Sequence, residues 1–551
     1  MQRRKKRRQK NKKGVWLAIT VIIILIIIGI IIGHSRSKAK NEGILKEYLP
    51  TDLNTLDISK MDDVNSANVS ANVQQGLLSR NKNEAPKPGL AKSWQASKDG
   101  KTWTFHLRKG LKWSNGDPLT ASDFVYSWRR ANDPKTTSQT AYVFNGIKNA
   151  NAIYKGKNKD ISSLGVYAPD KTTLVLKMEH PIAHLKDILS FETTFPQDKK
   201  FIQKQGNKYG GSSTRQVYSG PYKLVGWNGS NKKFKLRPNK HYWNQKAIKN
   251  KGVNLQVISD PTALISSYKK GNVDQAQLST PQQVRQYKNS KQLHSYKLSF
   301  SLFFLYNQPK VPALKNPKIR EALNLATNRK GIAKNNTAGL YSPATGITPS
   351  GMSKTPAGED FSKAVAKNTN YQYNPKKAKT LFAQGMAEMG KKHLTLTIEA
   401  DNDGTDSATF KPMLDSIQQS WGKLPGLSIK EKFVPKKQRI SDINNDNYQV
   451  MTYTWGADYA EPIGILNVFY TLKNWHNNRF SSDYQKAAST YAMDPEKHTA
   501  AEVDAEKVLF NQKAVDPLLW KNSKQLIKPR ISGLQHFSSG AEYYFWTAKV
   551  K

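Results

Sequence analysis

The sequence predicts an α/β body preceded by one N-terminal transmembrane helix. Three observations carry this prediction. Short stretches of alternating apolar and polar residues are interleaved with amphipathic stretches along the whole chain, the mark of strand–helix succession. An apolar run, Val15–Ile32, reads VWLAITVIIILIIIGIII and is broken only by Thr20 and Gly29. Hydrophobic residues make up 37% and aromatics 10% of the chain, too much for a disordered polymer and enough for a large core. At roughly 100–200 residues per domain, 551 residues imply two to four domains or one large two-lobed unit.

The first 40 residues set the compartment. Residues 1–14 form a basic segment containing Arg3, Arg4, Lys5, Lys6, Arg7, Arg8, Lys10, Lys12 and Lys13, and no acid occurs before Glu42. Residues 15–33 follow as a membrane anchor or uncleaved signal: the apolar run would span about 27 Å as a helix, close to a bilayer core. The basic flank stays in the cytoplasm, which puts the rest of the chain outside. A cleaved signal with its site near Ser37-Lys38-Ala39 is the alternative and would leave a secreted, envelope-associated protein. Residues 34–46 read as a polar linker. The chain has no cysteine, which excludes a disulfide scaffold, thiolate metal sites, a Cys nucleophile and the lipid-modified Cys that tethers many bacterial surface proteins. The net charge is +46. Twelve basic residues lie within residues 1–40, so the remaining body is itself near +34. Its lysines are dispersed. That pattern fits a surface facing an anionic envelope, with cell-wall polymers as partners, and not a nucleic-acid module.

Along the body, Lys98-Asp99-Gly100 sits before the alternating run Thr102–Leu107, a hairpin signal. Thr120 followed by Asp123 resembles a capping box and opens a helix with Phe124 and Trp128 on one face. Residues 173–176, 222–225, 234–236 and 253–257 read as strands, and 261–270 as a helix stopped by Gly271. Residues 49–78 contain Asp and Asn turns. Beyond Leu305 the succession continues: a helix from Asn316-Pro317, a helix over 374–389 stopped by Gly390, a strand at 394–398, a helix over 408–421, and strands at 427–429 and 448–453. The last strand runs into Thr454-Trp455-Gly456-Ala457-Asp458-Tyr459-Ala460-Glu461-Pro462.

Several segments together resemble the extracytoplasmic oligopeptide-binding proteins of ABC importers, the family 5 solute-binding proteins. They are Ser97–Phe105, Leu107–Pro118 and Thr120–Arg130, then Ser219-Gly220-Pro221-Tyr222, His241-Tyr242-Trp243-Asn244, Asn316–Leu323 and Trp455–Pro462. Their order spans about residues 45–545. The resemblance implies a two-lobed clamshell of the periplasmic-binding-protein type in its three-domain, peptide-binding form. It implies a first lobe over 47–305, with an insert domain at about 86–214. A second lobe covers 306–512, and residues 513–551 return to the first. It implies an oligopeptide ligand held between the lobes, delivery to ABC permease subunits, no enzymatic activity and no cofactor.

A receptor for many peptides must grip what peptides share: the N-terminal ammonium, the main-chain N–H and C=O groups, and an extended shape. Main-chain grip means addition of a strand. Ammonium grip needs a carboxylate withdrawn from water, because a buried charge without a partner is costly. Asp458 matches the family's amine-anchoring aspartate, and Trp455 and Gly456 flank it. Met61-Asp62-Asp63-Val64 aligns with the family's segment along the bound peptide, Val64 offering backbone groups and Asp62 its side chain. The family's pocket tyrosine is replaced by Thr140, and Tyr142 is not expected to compensate. Gly385-x4-Gly390-Lys391-Lys392 imitates a phosphate loop but lacks the Ser or Thr and sits at a helix end. Residues 401–406 hint at calcium without the required spacing to a terminal Glu. His180 and His184 straddle Pro181 with no evident third ligand. Two other readings stay open: a receptor for a signalling peptide, dipeptide, sugar or metal chelate on the same scaffold, and an envelope-attached adhesin that no longer transports.

Overall fold

The computed structural model describes residues 42–551 apart from 370, 404–406 and 473–474. The expected membrane span, 15–33, lies outside the described residues. Among those described, no helix is long and apolar enough to cross a membrane.

Three sheets organise the body. The first has four strands in the order Ile44–Leu49, Gly252–Val257, Lys233–Pro238, Tyr222–Val225. Its first pair is parallel and the others antiparallel. Leu45, Leu224, Phe234, Leu236, Val253 and Leu255 point into one core, which the C-terminal residues Phe537, Tyr544, Phe545 and Trp546 complete. The second sheet is antiparallel and lies between these strands in sequence, in the order Ala91–Ala96, Thr102–Leu107, Thr173–Lys177, Val166–Asp170. Strand Thr102–Leu107 alternates half-buried with buried residues, as its sequence predicts. Helix Ala121–Asn132 covers it with Phe124 and Trp128, both fully buried, and Asp123 accepts the Thr120 N–H at 2.7 Å.

The third sheet has seven strands. Two long antiparallel strands, Leu293–Tyr306 and Val515–Ile527, form its middle. Strand Val450–Gly456 pairs antiparallel with the first of them and parallel with Leu394–Asp401, which in turn pairs with Leu427–Val434. Helices Pro317–Ala326, Pro375–Glu388 and Ser407–Trp421 pack Leu323, Phe382, Leu414 and Trp421 into its core. Their N-terminal Asn-Pro starts are as expected: Asn316 and Asn374 each cap a backbone N–H, with Pro in the first turn.

The segment 49–78 has turns before residue 64 but also holds an element not expected from its sequence. It contains helix Val64–Val73, capped by Asp63. Its sequence, VNSANVSANV, has no apolar face, yet nine of its ten residues are buried. The asparagines explain this. Asn72 Nδ2 donates to the Tyr543 carbonyl at 2.8 Å and its Oδ1 accepts the Phe545 N–H at 2.8 Å, while Asn68 Oδ1 accepts the Glu542 N–H at 2.5 Å. The helix is buried by satisfying the backbone of the C-terminal segment, which hydrophobic periodicity does not reveal.

One ion pair ties the third sheet to its helices. Arg329 and Asp516 are paired, with side chains 4% and 0% exposed. Asp516 also accepts from Thr327 Oγ1 at 3.0 Å. Asp516→Ala leaves an uncompensated buried guanidinium and is predicted to destabilise the protein by about 3–5 kcal/mol in urea unfolding at neutral pH. Asp52→Ala breaks a pair with Lys232 that is exposed on both sides, and is predicted to change stability by less than about 1 kcal/mol.

Candidate functional site

The site forms where strand Val450–Gly456 ends. Phe300 faces Gly456 and Ser301 faces Trp455 in the ladder with the long strand. On its other edge the strand pairs with Leu394–Asp401 only through Val450 and Met451. Among the described residues no strand pairs with Tyr453–Gly456 on that edge, so a run of backbone donors and acceptors is left for another chain. The Phe300 ring explains the glycine: a Cβ at 456 would lie 2.3 Å from a Phe300 ring carbon. Trp455 stacks on Tyr453 at 6.2 Å, and its Nε1–H donates to the Gly464 carbonyl at 2.9 Å, holding the intervening loop against the strand.

Asp458 lies on this loop, half-buried. It does not cap the helix that follows, Ile463–Thr471, which begins at Pro462 without a side-chain cap. Its single recorded partner is Tyr142, whose phenol donates to Oδ2 at 2.9 Å. Among the described residues no Lys or Arg forms an ion pair with it. Burial pushes the carboxyl up, and the Tyr142 hydroxyl pulls it partly back. Tyr142 therefore reaches Asp458. Thr140 turns the other way and accepts from Thr193 Oγ1 at 2.9 Å. The loop between these residues is a short 3-10 turn, Ala141–Phe144, whose phase carries position 142 toward Asp458.

Beside Asp458 is a cavity lined by Arg80, Glu84, Asp187, Glu192, Tyr459 and Gly540, among others. Its one cation is already occupied: Arg80 donates to the Ser539 and Ala541 carbonyls at 2.7 and 2.6 Å and lies 4.0 Å over the Phe537 ring. Gly540 has φ +60°, and a Cβ there would come within 3.3 Å of the Asp458 carbonyl. Burial pushes Glu192 up to about 7 and Asp187 up to about 6, with Arg80 lowering both only in part. Carboxyls thus outnumber the cation around this small cavity.

The structure brings Asp458, Trp455 and Gly456 together on one strand and its exit loop. Asp62 is exposed and precedes helix Val64–Val73, and Val64 is that helix's first residue, 54% exposed. Val64 is therefore helical here and not extended, which leaves its N–H, an unpaired donor of the first turn, as the backbone group it presents. No recorded hydrogen bond among the described residues joins Asp62 or Val64 to the Asp458 loop. Of the segment 401–406, residues 404–406 lie outside the described residues. Asp401 is held by Arg439 and Asp403 accepts the Lys436 N–H at 2.8 Å. Sequence reasoning missed Arg80, Glu84, Asp187 and Glu192, which are scattered over 113 positions and share no motif.

Comparison with known proteins places the chain in a family. The family model described as bacterial extracellular solute-binding proteins, family 5 Middle, matches residues 85–477. The chain is 37% identical over 540 residues to a dipeptide-binding protein of Lactococcus lactis subsp. cremoris, covering 95% of this chain and 97% of that one. Among solved structures, the substrate-binding domain of an oligopeptide ABC transporter from Bacillus anthracis superposes with a TM-score of 0.74 at 29% identity, covering 93% of this chain and 99% of that one. OppA of Listeria monocytogenes bound to peptide gives 0.73 at 30% identity over the same shares. The chain belongs to the family 5 extracellular solute-binding proteins and has their mixed α/β fold.

The raised carboxyls carry a pH prediction. Glu192 binds its proton more tightly folded than unfolded, so its contribution to stability is intact below about pH 4.5 and is lost as pH rises through about 7. Glu192→Gln removes this dependence. The variant, measured against the parent by thermal and urea unfolding, is predicted to gain roughly 3 kcal/mol between pH 4.5 and pH 8.

Proposed function

We propose that this chain is the peptide receptor of an ABC importer, taking peptides outside the membrane and presenting them to permease subunits. The observation that carries this reading is the free backbone edge of Tyr453–Gly456 ending at a half-buried carboxylate without a cation. An extended peptide adds to such an edge through its main chain. Its ammonium then reaches Asp458, Tyr142 supplies the second hydrogen bond to the carboxylate, and the acidic cavity beyond holds positive charge. The bacterial relatives with dipeptide- and oligopeptide-binding names support the same reading.

The finer organisation is part of this proposal. The lobes are 47–305 and 306–512, with an insert at about 86–214 and the return 513–551, and they close as a clamshell over the ligand. Residues 15–33 hold the receptor at the membrane in place of a lipidated cysteine, with residues 1–14 in the cytoplasm. Asp62 and Val64 line the opposite side of the bound peptide. The basic body rests against anionic wall polymers.

A mixed peptide library is predicted to raise the melting temperature of the detergent-purified full chain. Asp458→Ala is predicted to weaken binding of a captured peptide by about 3–5 kcal/mol. N-acetylation of that peptide should cost the parent a similar amount and the variant little. Equal affinity of parent and variant, with both sensitive to acetylation, would reject Asp458 as the ammonium anchor.

A further inference from the structure

Behind the Asp458 loop is a second cluster that the peptide reading does not use. Glu461 follows Asp458 by three residues and turns toward helix Pro495–Asn511. On that helix His498 and Glu502 are four apart and share one face. One donor atom from each of Glu461, His498 and Glu502 lies within 4.8 Å of the other two. Glu502 is 1% exposed. We infer that Glu461, His498 and Glu502 form a binding site for a divalent transition metal, with zinc the best match to one imidazole and two carboxylates.

The chemistry of each donor supports this. His498 Nδ1 lies 2.8 Å from the Ala487 carbonyl, which makes Nδ1 the protonated nitrogen and leaves the Nε2 lone pair facing Glu502 at 3.5 Å. A backbone carbonyl fixing the tautomer is the usual outer support of a metal-bound histidine. Glu502 Oε1 is oriented by the Ile463 N–H at 3.0 Å, a first-turn donor of the helix after the loop. Zinc–ligand distances of about 2 Å place donors around 3–3.5 Å apart, so the three groups need to close by about an ångström.

A second observation points to the same place. His184 Nδ1 is buried without a hydrogen-bond partner. Its ring stacks on Tyr459 at 4.7 Å, two residues from Glu461. The pair His180 and His184 lacked a third ligand in sequence; in the fold His184 packs against the loop that carries Glu461.

The site binds metal whether or not peptide is present, so its test is independent of the peptide reading. The full chain, stripped with a chelator and free of peptide, is titrated with zinc chloride by calorimetry and followed by melting temperature. One saturable zinc per chain and a raised melting temperature are expected. His498→Ala and Glu502→Gln should each weaken binding at least tenfold, and His180→Ala should leave it unchanged. Glu461→Gln, on a half-buried loop, serves as the variant least dependent on core packing, with circular dichroism establishing that it is folded. Absence of saturable zinc binding by the parent, or unchanged affinity in a folded Glu461→Gln variant, overturns the assignment.

Discussion

The site depends on what the backbone does at Ser299. The long strand Leu293–Tyr306 is paired with Val515–Ile527 on either side of this point, but the register breaks between Lys297 and Ser301. A break of this kind frees backbone groups that a regular ladder would consume. Ser299 uses them in two directions. Its N–H donates to the Ser538 carbonyl at 3.0 Å, and its carbonyl accepts the Ala457 N–H at 2.9 Å. The two serine hydroxyls are 2.6 Å apart as well. One buried residue thus fixes both the start of the Asp458 loop and the C-terminal stretch whose Ser539 and Ala541 carbonyls occupy Arg80. Arg80 lines the cavity with its guanidinium donors committed to those carbonyls, which the irregular strand holds in place.

The overall charge of the protein does not determine the charge of this cavity. A body near +34 presents a positive field at long range. At physiological ionic strength exposed charges are screened beyond roughly 8 Å, whereas Glu192, Asp187 and Asp458 act within a space partly closed to water. Local carboxyls therefore set the charge of the cavity, and the dispersed lysines set that of the exterior.

Where sequence and structure agree, the local code was sufficient. Strand Thr102–Leu107 and helices Pro317–Ala326 and Pro375–Glu388 each carry their own periodicity and caps. Helix Val64–Val73 does not, since its burial is bought by asparagine hydrogen bonds to residues 470 positions away. The two long strands were equally hard to read. Each contributes buried residues on both faces, so neither shows a period of two. In the site, Asp458 was legible only because its flanking motif resembles a family. Tyr142 was not, because whether a side chain two positions from the expected one can reach its partner depends on the turn between them.

The loop from Ala457 to Pro462 joins these strands of reasoning. Asp458 looks toward the cavity shared with Arg80 and Glu192, and Glu461 looks toward His498 and Glu502. Trp455 and Gly464 bracket the loop with a hydrogen bond across its mouth. The two carboxyls of this short loop therefore face different neighbours, Asp458 the Tyr142 hydroxyl and Glu461 the helix that carries His498 and Glu502, so one loop serves two chemically separate surroundings.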